Sequence, residues 1–261
     1  MNFPMHWASL WKAGPSCGTG SSALPDRAVH VWPVRISEQD EHVASLYALL
    51  ADDEQQRAQR FAFPNLQRSY IVTRGMLRVL LSRYLETPPE NISFIYGAKG
   101  KPAVAETRVR FNISHSGDLA VYAFTNDCEI GVDVEQIRPL PDMEDMARRF
   151  FCQTESLELA GVPEADRTRA FFSCWTRKEA YIKAVGDGLS IPLDSFAVTL
   201  RPDEGARLIH LENDTRAAAA WTIQNLELDP EYTAAVAYRD AERCVEISGL
   251  VKVPRPEALR S

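Results

Sequence analysis

Gly131-Val132-Asp133-Val134-Glu135 alternates β-branched residues with carboxylates. Strand side chains alternate faces, so Asp133 and Glu135 emerge together while Val132 and Val134 point the other way. Two oxygen donors on one face are the beginning of a metal site. Some forty residues later, Trp175-Thr176-Arg177-Lys178-Glu179-Ala180-Tyr181-Ile182-Lys183 has helical spacing. At about 100° per residue, Glu179 falls near the centre of the stripe made by Phe172, Trp175 and Ile182, so its carboxylate points inward. Lys183 follows at i+4 on the same face, within reach of a common ligand. An unpaired buried charge is costly, which implies a partner for both. An Asp-x-Glu on a strand is more often a solvated edge, and a Glu-Lys pair on a helix a surface ion pair; the inward phase of Glu179 favours the site.

Positioning these groups requires a strand, a long helix and the elements that pack them. Val29 to Ile36 reads as a strand, Glu38 to Leu50 and Asp52 to Phe61 as short amphipathic helices, and Ser69 to Leu85 as a longer one. Pro88-Pro89 ends that helix, and Ile92 to Tyr96, Val109 to Ile113 and Leu119 to Thr125 read as strands before the one that carries Asp133. Helices follow near Met143 to Phe150, Gln153 to Leu159 and Asp166 to Val185, with Gly186 and Gly188 closing the last. Phe196 to Leu200, Ala219 to Leu228 and Thr233 to Tyr238 complete the strands, and Val251 to Ser261 is a polar tail. Leu119 to Asp127 loosely echoes Thr233 to Asp240, a hint of two related halves. The boundaries expected are an arm at 1–27, an N-terminal half at 28–126, a C-terminal half at 127–250 and a tail at 251–261.

At 261 residues and 45% apolar content, the chain can bury a substantial core. No run approaches the roughly 18 apolar residues of a membrane helix, and Met1 to Ala23 lacks the basic start and apolar centre of a signal peptide. A cytoplasmic protein that does not work on membranes is the expectation. Five scattered cysteines without a C-x-x-C pair argue against disulfides and zinc.

The net charge of −7 argues against nucleic acid, yet Gln55 to Lys101 carries eight basic residues against two acidic ones and is +6, leaving −13 for the rest. A basic island in an acidic chain suits a small polyanion held by arginine forks and lysine point charges. Arg83 reads as merely solvated. Between island and carboxylates lies Phe111-Asn112-Ile113-Ser114-His115-Ser116-Gly117-Asp118, an apolar strand breaking into small polar residues. Backbone N–H groups in such a turn form an anion-binding concavity, and His115 adds an adjustable donor.

The order Gly100-Lys101-Pro102, Phe111-Asn112-x-Ser114-His115-Ser116, Gly131-x-Asp133-x-Glu135 and Trp175-x-x-Lys178-Glu179-Ala180-x-x-Lys183 resembles the 4'-phosphopantetheinyl transferases, in particular their larger single-chain kind. The resemblance implies an α/β (α+β) fold of two similar halves related by an approximate twofold, with the active site in the seam. It implies that Asp133, Glu135 and Glu179 hold Mg2+, in keeping with that cation's preference for carboxylate oxygen. By the same likeness, Lys183, Ser114 and His115 meet the phosphates of coenzyme A, Lys101 its nucleotide end, and Arg57 with Arg68 its 3'-phosphate. The reaction implied moves phosphopantetheine from coenzyme A to a serine of an acyl or peptidyl carrier protein, by a chain expected to act as a monomer. Glu179 is the expected base, Lys183 and His115 assist it, and Glu155 is a rival base or a helix-start residue. A non-catalytic binder of carrier domains or nucleotides and a Mg2+-dependent pyrophosphatase are the competing readings.

Overall fold

A computed structural model describes residues 24–186, 191–201, 204–212, 214–240 and 243–250. Most of the arm, Gly188 and the tail beyond residue 250 lie outside the described residues. In chain order the elements begin with β1 (Ala28–Arg35), a 3₁₀ helix (Ser37–His42), α1 (Val43–Ala48), α2 (Asp52–Gln59) and α3 (Pro64–Leu85). Next come β2 (Ile95–Tyr96), β3 (Pro102–Ala103), β4 (Val109–Ser116), β5 (Leu119–Asn126) and β6 (Ile130–Gln136). The remainder comprises α4 (Met143–Phe150), α5 (Gln153–Ala160), α6 (Glu164–Val185), β7 (Phe196–Val198), β8 (Leu208–Leu211), α7 (Thr215–Ala218), β9 (Thr222–Asn225), β10 (Tyr232–Tyr238) and β11 (Cys244–Ile247).

One sheet has the order β11-β1-β5-β4, another β6-β10-β9, and β2-β3 and β7-β8 form small ribbons. The two halves repeat one plan. A strand (β1 or β6) precedes a 22-residue helix (α3 or α6), and an antiparallel pair follows (β4-β5 or β9-β10), with orders β1-β5-β4 and β6-β10-β9. The sequence echo between Leu119 and Thr233 therefore falls on equivalent strands, β5 and β10. The α/β class expected from the motifs is the one observed.

Alternation explains the layers. Val29 and Val31 of β1, Val121 and Ala123 of β5, Val132 and Val134 of β6, and Val236 of β10 form a core shared by the two sheets. Trp32, Tyr122 and Phe124 face the other way, into a core with Val72, Met76 and Leu80 of α3. Ala235 and Ala237 of β10 pack with Phe171, Phe172 and Ile182 of α6. Each large apolar side chain so buried contributes about 1.5–3 kcal/mol, which is what fastens α6 to its sheet.

Several boundaries differ from the sequence reading. α3 starts at Pro64 rather than Ser69, because proline at the first helical position has neither an N–H to lose nor a φ to adjust. The helix expected over Glu38 to Leu50 breaks at His42, where the 3₁₀ turn hands over to α1. The strand expected from Ala219 to Leu228 shrinks to β9, since the turn that closes α7 takes up Ala219 to Trp221, with Trp221 N donating to Ala218 O at 3.0 Å. β8 and β11 were not foreseen. Among the described residues no helix is long and apolar enough to cross a membrane.

Candidate active site

β4 runs through Ser116, so Ser114 and His115 sit in a strand and not in the anion-binding turn expected there; only Gly117 and Asp118 turn. The small polar residues that mimic a turn have another task. β4 and β6 meet side by side without a backbone ladder, and side chains of β4 bridge them instead. Asn112 Oδ1 accepts from Val132 N at 2.9 Å, and Ser114 Oγ donates to Asp133 Oδ1 at 2.8 Å. Ser116 Oγ donates to Glu135 Oε2 at 2.7 Å and accepts from Gln136 N at 3.2 Å. Ser116 was missed at the sequence level; its signal was the period-2 spacing from Asn112 and Ser114.

Opposite this seam lies α6, and Gly131 explains its closeness. A Cβ at position 131 would overlap the Ala180 carbonyl oxygen and the Ala184 amide nitrogen, so strand and helix touch there through backbone. Gly186, at φ 86°, ends the helix in the left-handed region, its N–H capping Ile182 O at 3.0 Å. Asp133 and Glu135 thus face the stripe of α6 that carries Glu179 and Lys183. Lys183 Nζ lies 2.6 Å from Asp133 Oδ1 and donates to Ser114 Oγ at 2.9 Å.

The electrostatics show how the carboxylates share this space. Asp133 is buried, and loss of water raises its pKa, opposed by the Lys183 charge and the bonds from Lys183 and Ser114, while Glu135 adds to the rise. Glu179 is half-buried and also raised, by desolvation first and then by Asp133, with Lys183 opposing and Glu135 reinforcing. Glu179 makes no hydrogen bond or ion pair with a described residue, and Asp133 Oδ2 is buried without a partner. His115 is lowered by desolvation and then by Lys183, against Glu135, so its ring is neutral near pH 7.

An orphaned carboxylate oxygen among three mutually repelling acids is chemistry that a hard cation would relieve. Convergence is nonetheless incomplete: among the described residues no three His, Cys, Asp or Glu side chains are assembled around one point. The Lys183 ammonium stands against Asp133 Oδ1 and supplies neutralising charge there.

Much of the basic island is engaged within the protein. Glu54, one residue outside the stretch counted as +6, is buried and pairs with both Arg74 and Arg78, the latter at 2.7 Å. Arg78 also donates to Pro89 O and Ile92 O, each at 2.9 Å. Arg83, expected in solvent, is buried with its guanidinium 5.1 Å from the Trp32 ring centroid. Arg68 grips Asp40 of the 3₁₀ helix at 2.8 and 3.0 Å, and Arg57 lies over the Tyr70 ring of α3 at 5.4 Å, so neither bonds to the carboxylate cluster. Lys101 Nζ donates to the backbone oxygens of Ile130, Lys183 and Ala184.

Glu155 leaves the list of bases. It is buried, 2.8 Å from Lys178 Nζ, and accepts from Cys152 N at 2.9 Å and Val198 N at 2.8 Å, which makes it the helix-start residue of α5. Lys178 is completed by Leu193 O at 2.8 Å and Phe196 O at 2.6 Å. Arg177 is fully buried and donates to Thr199 O at 2.7 Å and Arg201 O at 3.1 Å. Within the motif, then, Arg177 and Lys178 build the fold while Glu179 and Lys183 face the seam.

Comparison with known proteins places this arrangement. Among solved structures, the holo-[acyl-carrier-protein] synthase of Thermotoga maritima aligns with a TM-score of 0.34 at 18% identity, over 43% of this chain and 62% of that one. The chain is 38% identical over 213 residues to the 4'-phosphopantetheinyl transferase HetI of Nostoc sp., covering 80% of this chain and 86% of that one. It is 32% identical over 190 residues to the 4'-phosphopantetheinyl transferase Sfp of Bacillus subtilis, covering 72% and 82% respectively. A model of the N-terminal region of 4'-phosphopantetheinyl transferase matches residues 37–127, and a model of the 4'-phosphopantetheinyl transferase superfamily matches residues 129–237. The two matches meet at the β5-β6 connection, where the two halves of the fold adjoin, and together with the relatives they establish that the chain belongs to the 4'-phosphopantetheinyl transferase superfamily.

Proposed function

We propose that this enzyme transfers the phosphopantetheine of coenzyme A to a serine hydroxyl of an acyl or peptidyl carrier protein, with Mg2+, releasing adenosine 3',5'-bisphosphate. The observation that carries the reading is the Ser114-Asp133-Lys183 hydrogen-bonded set, with Asp133 Oδ2 buried without a partner and the charges of Glu135 and Glu179 near enough to act on one another and on Asp133. Asp133, Glu135 and Glu179 would hold the cation through carboxylate oxygens. When bound, Mg2+ neutralises charge on the diphosphate.

The chain's own groups supply the rest. Lys183, poised between Asp133 and Ser114, offers a positive charge to the bridging oxygen that leaves. Neutral His115 can donate an N–H to a phosphate oxygen. The serine oxygen attacks the phosphorus that bears the pantetheine arm, the bond to the nucleotide's phosphate oxygen breaks, and the serine proton passes to Glu179. That role suits Glu179, because a carboxylate raised above its ordinary pKa, with no hydrogen bond to a described residue, is a stronger base than an exposed one. An apolar-walled cavity of about 360 Å³, with Tyr96, Pro102 and Phe111 among its lining, offers the nucleotide end a place beside Lys101.

Mass spectrometry of an apo carrier domain incubated with the enzyme, Mg2+ and coenzyme A tests this. Phosphopantetheine on the acceptor serine is the expected result. Cleavage of coenzyme A with an unmodified carrier would favour a pyrophosphatase, and binding with neither product a non-catalytic protein.

A further inference from the structure

A lysine ammonium has three N–H donors, and those of Lys101 meet three acceptors: Ile130 O at 2.9 Å, Lys183 O at 2.6 Å and Ala184 O at 3.2 Å. No donor remains for a phosphate. The acceptors belong to two elements. Ile130 is the first residue of β6, which carries Asp133 and Glu135, while Lys183 and Ala184 lie in the last turn of α6, which carries Glu179.

Helix-terminal carbonyls lack partners within their own helix, and Lys101 satisfies the two that follow the Gly186-capped Ile182 O. Its attachment lies beside Gly131, where strand and helix touch. The loop that delivers Lys101 is itself tied down, with Gly97 N donating to Lys101 O at 3.0 Å and Gly100 N to Gly97 O at 2.8 Å. Loss of water on burial lowers the Lys101 pKa to about 8, against the charge of Glu129.

We infer that Lys101 is a positioning residue: it pins the end of α6 to the start of β6 and so keeps the groups on helix and strand in phase across the seam, while its ammonium makes no bond to the phosphates of coenzyme A. Misplacing reacting groups by a fraction of an ångström lowers the chemical step and leaves substrate affinity largely intact. The kinetic part of this inference rests on the transfer reaction proposed above.

Lys101→Met, which keeps length and removes the donors, separates the possibilities. Turnover should fall between about tenfold and a hundredfold, with the Michaelis constant for coenzyme A changed less than about twofold. A raised Michaelis constant with normal turnover would show instead that Lys101 contacts the nucleotide, and unchanged kinetics would show that the clamp is idle; either overturns the inference. Amide hydrogen exchange reads the clamp without any activity. Faster exchange confined to the last turn of α6 and the start of β6 supports it, and unaltered exchange there overturns it. Should the wild-type enzyme modify no carrier, the proposed reaction fails while the exchange result still decides the clamp. If the methionine variant does not fold, Lys101→Gln, which retains two donors, should show the same kinetic split in milder form, and a normal profile would contradict it.

Discussion

Asp133 accepts from Ser114 and Lys183 through one oxygen and leaves the other bare. Asp133→Asn keeps the shape and removes the charge. Transfer should fall at least about a hundredfold, while thermal stability changes by no more than about 1 kcal/mol, because burial already disfavours the charged form. Near-normal turnover would show that this carboxylate is not a metal ligand. Lys183→Ala should reduce kcat more than it raises the Michaelis constant for coenzyme A if, as proposed, its charge acts on the leaving oxygen; steady-state kinetics on a carrier domain read both. At this scale the carboxylates were legible from strand alternation and helix phase. The basic residues were less so, because their partners are backbone carbonyls or a remote acid: nothing near Lys101 in sequence announces Ile130 O, and Glu54 lies 20 residues from Arg74 and 24 from Arg78.

Two elements, β6 and α6, set the geometry, and Gly131 sets the distance between them. Gly131→Ala would drive a methyl group into the helix backbone at Ala180 and Ala184, where neither side chain can turn aside. A loss of about 3 kcal/mol or more is expected in chemical denaturation, together with depressed transfer in whatever folds. A variant as stable and active as wild type would mean that strand and helix can separate freely. The motif glycine is usually easy to pass over, because a glycine's reason lies in what approaches it. β4 shows the complementary difficulty. Asn112, Ser114 and Ser116 resemble the start of a turn, yet they keep strand alternation because each supplies a bond that a backbone ladder would otherwise make to β6.

For the whole molecule, the repeated plan of strand, long helix and antiparallel pair was foreshadowed by the Leu119 and Thr233 echo and by the motifs, whereas β11, which joins β1 from the far end of the chain, left no sequence signal. A pH dependence follows from the N-terminal half. His30 of β1 is buried, hydrogen-bonded through Nδ1 to Tyr84 Oη at 3.0 Å, and lowered to about 4 by desolvation and then by Arg83. Its unfolded form binds a proton near the ordinary value of 6.5, so between there and about 4 the unfolded state holds more protons and stability falls as pH falls. The contribution is at most about 3 kcal/mol, present above that window and lost through it. Urea titrations across the window should show a shallower loss in His30→Gln than in wild type, and parallel curves would remove His30 as the cause. The central claim is the proposal that Asp133, Glu135 and Glu179 together bind one cation beside the seam between β4 and β6. Anomalous diffraction from crystals grown with Mn2+ and coenzyme A tests it directly. A single metal peak bonded to oxygens of all three side chains, with Lys183 moved from Asp133 toward the diphosphate, is the expected result. A peak that omits any of the three, or no peak in the seam, would contradict it.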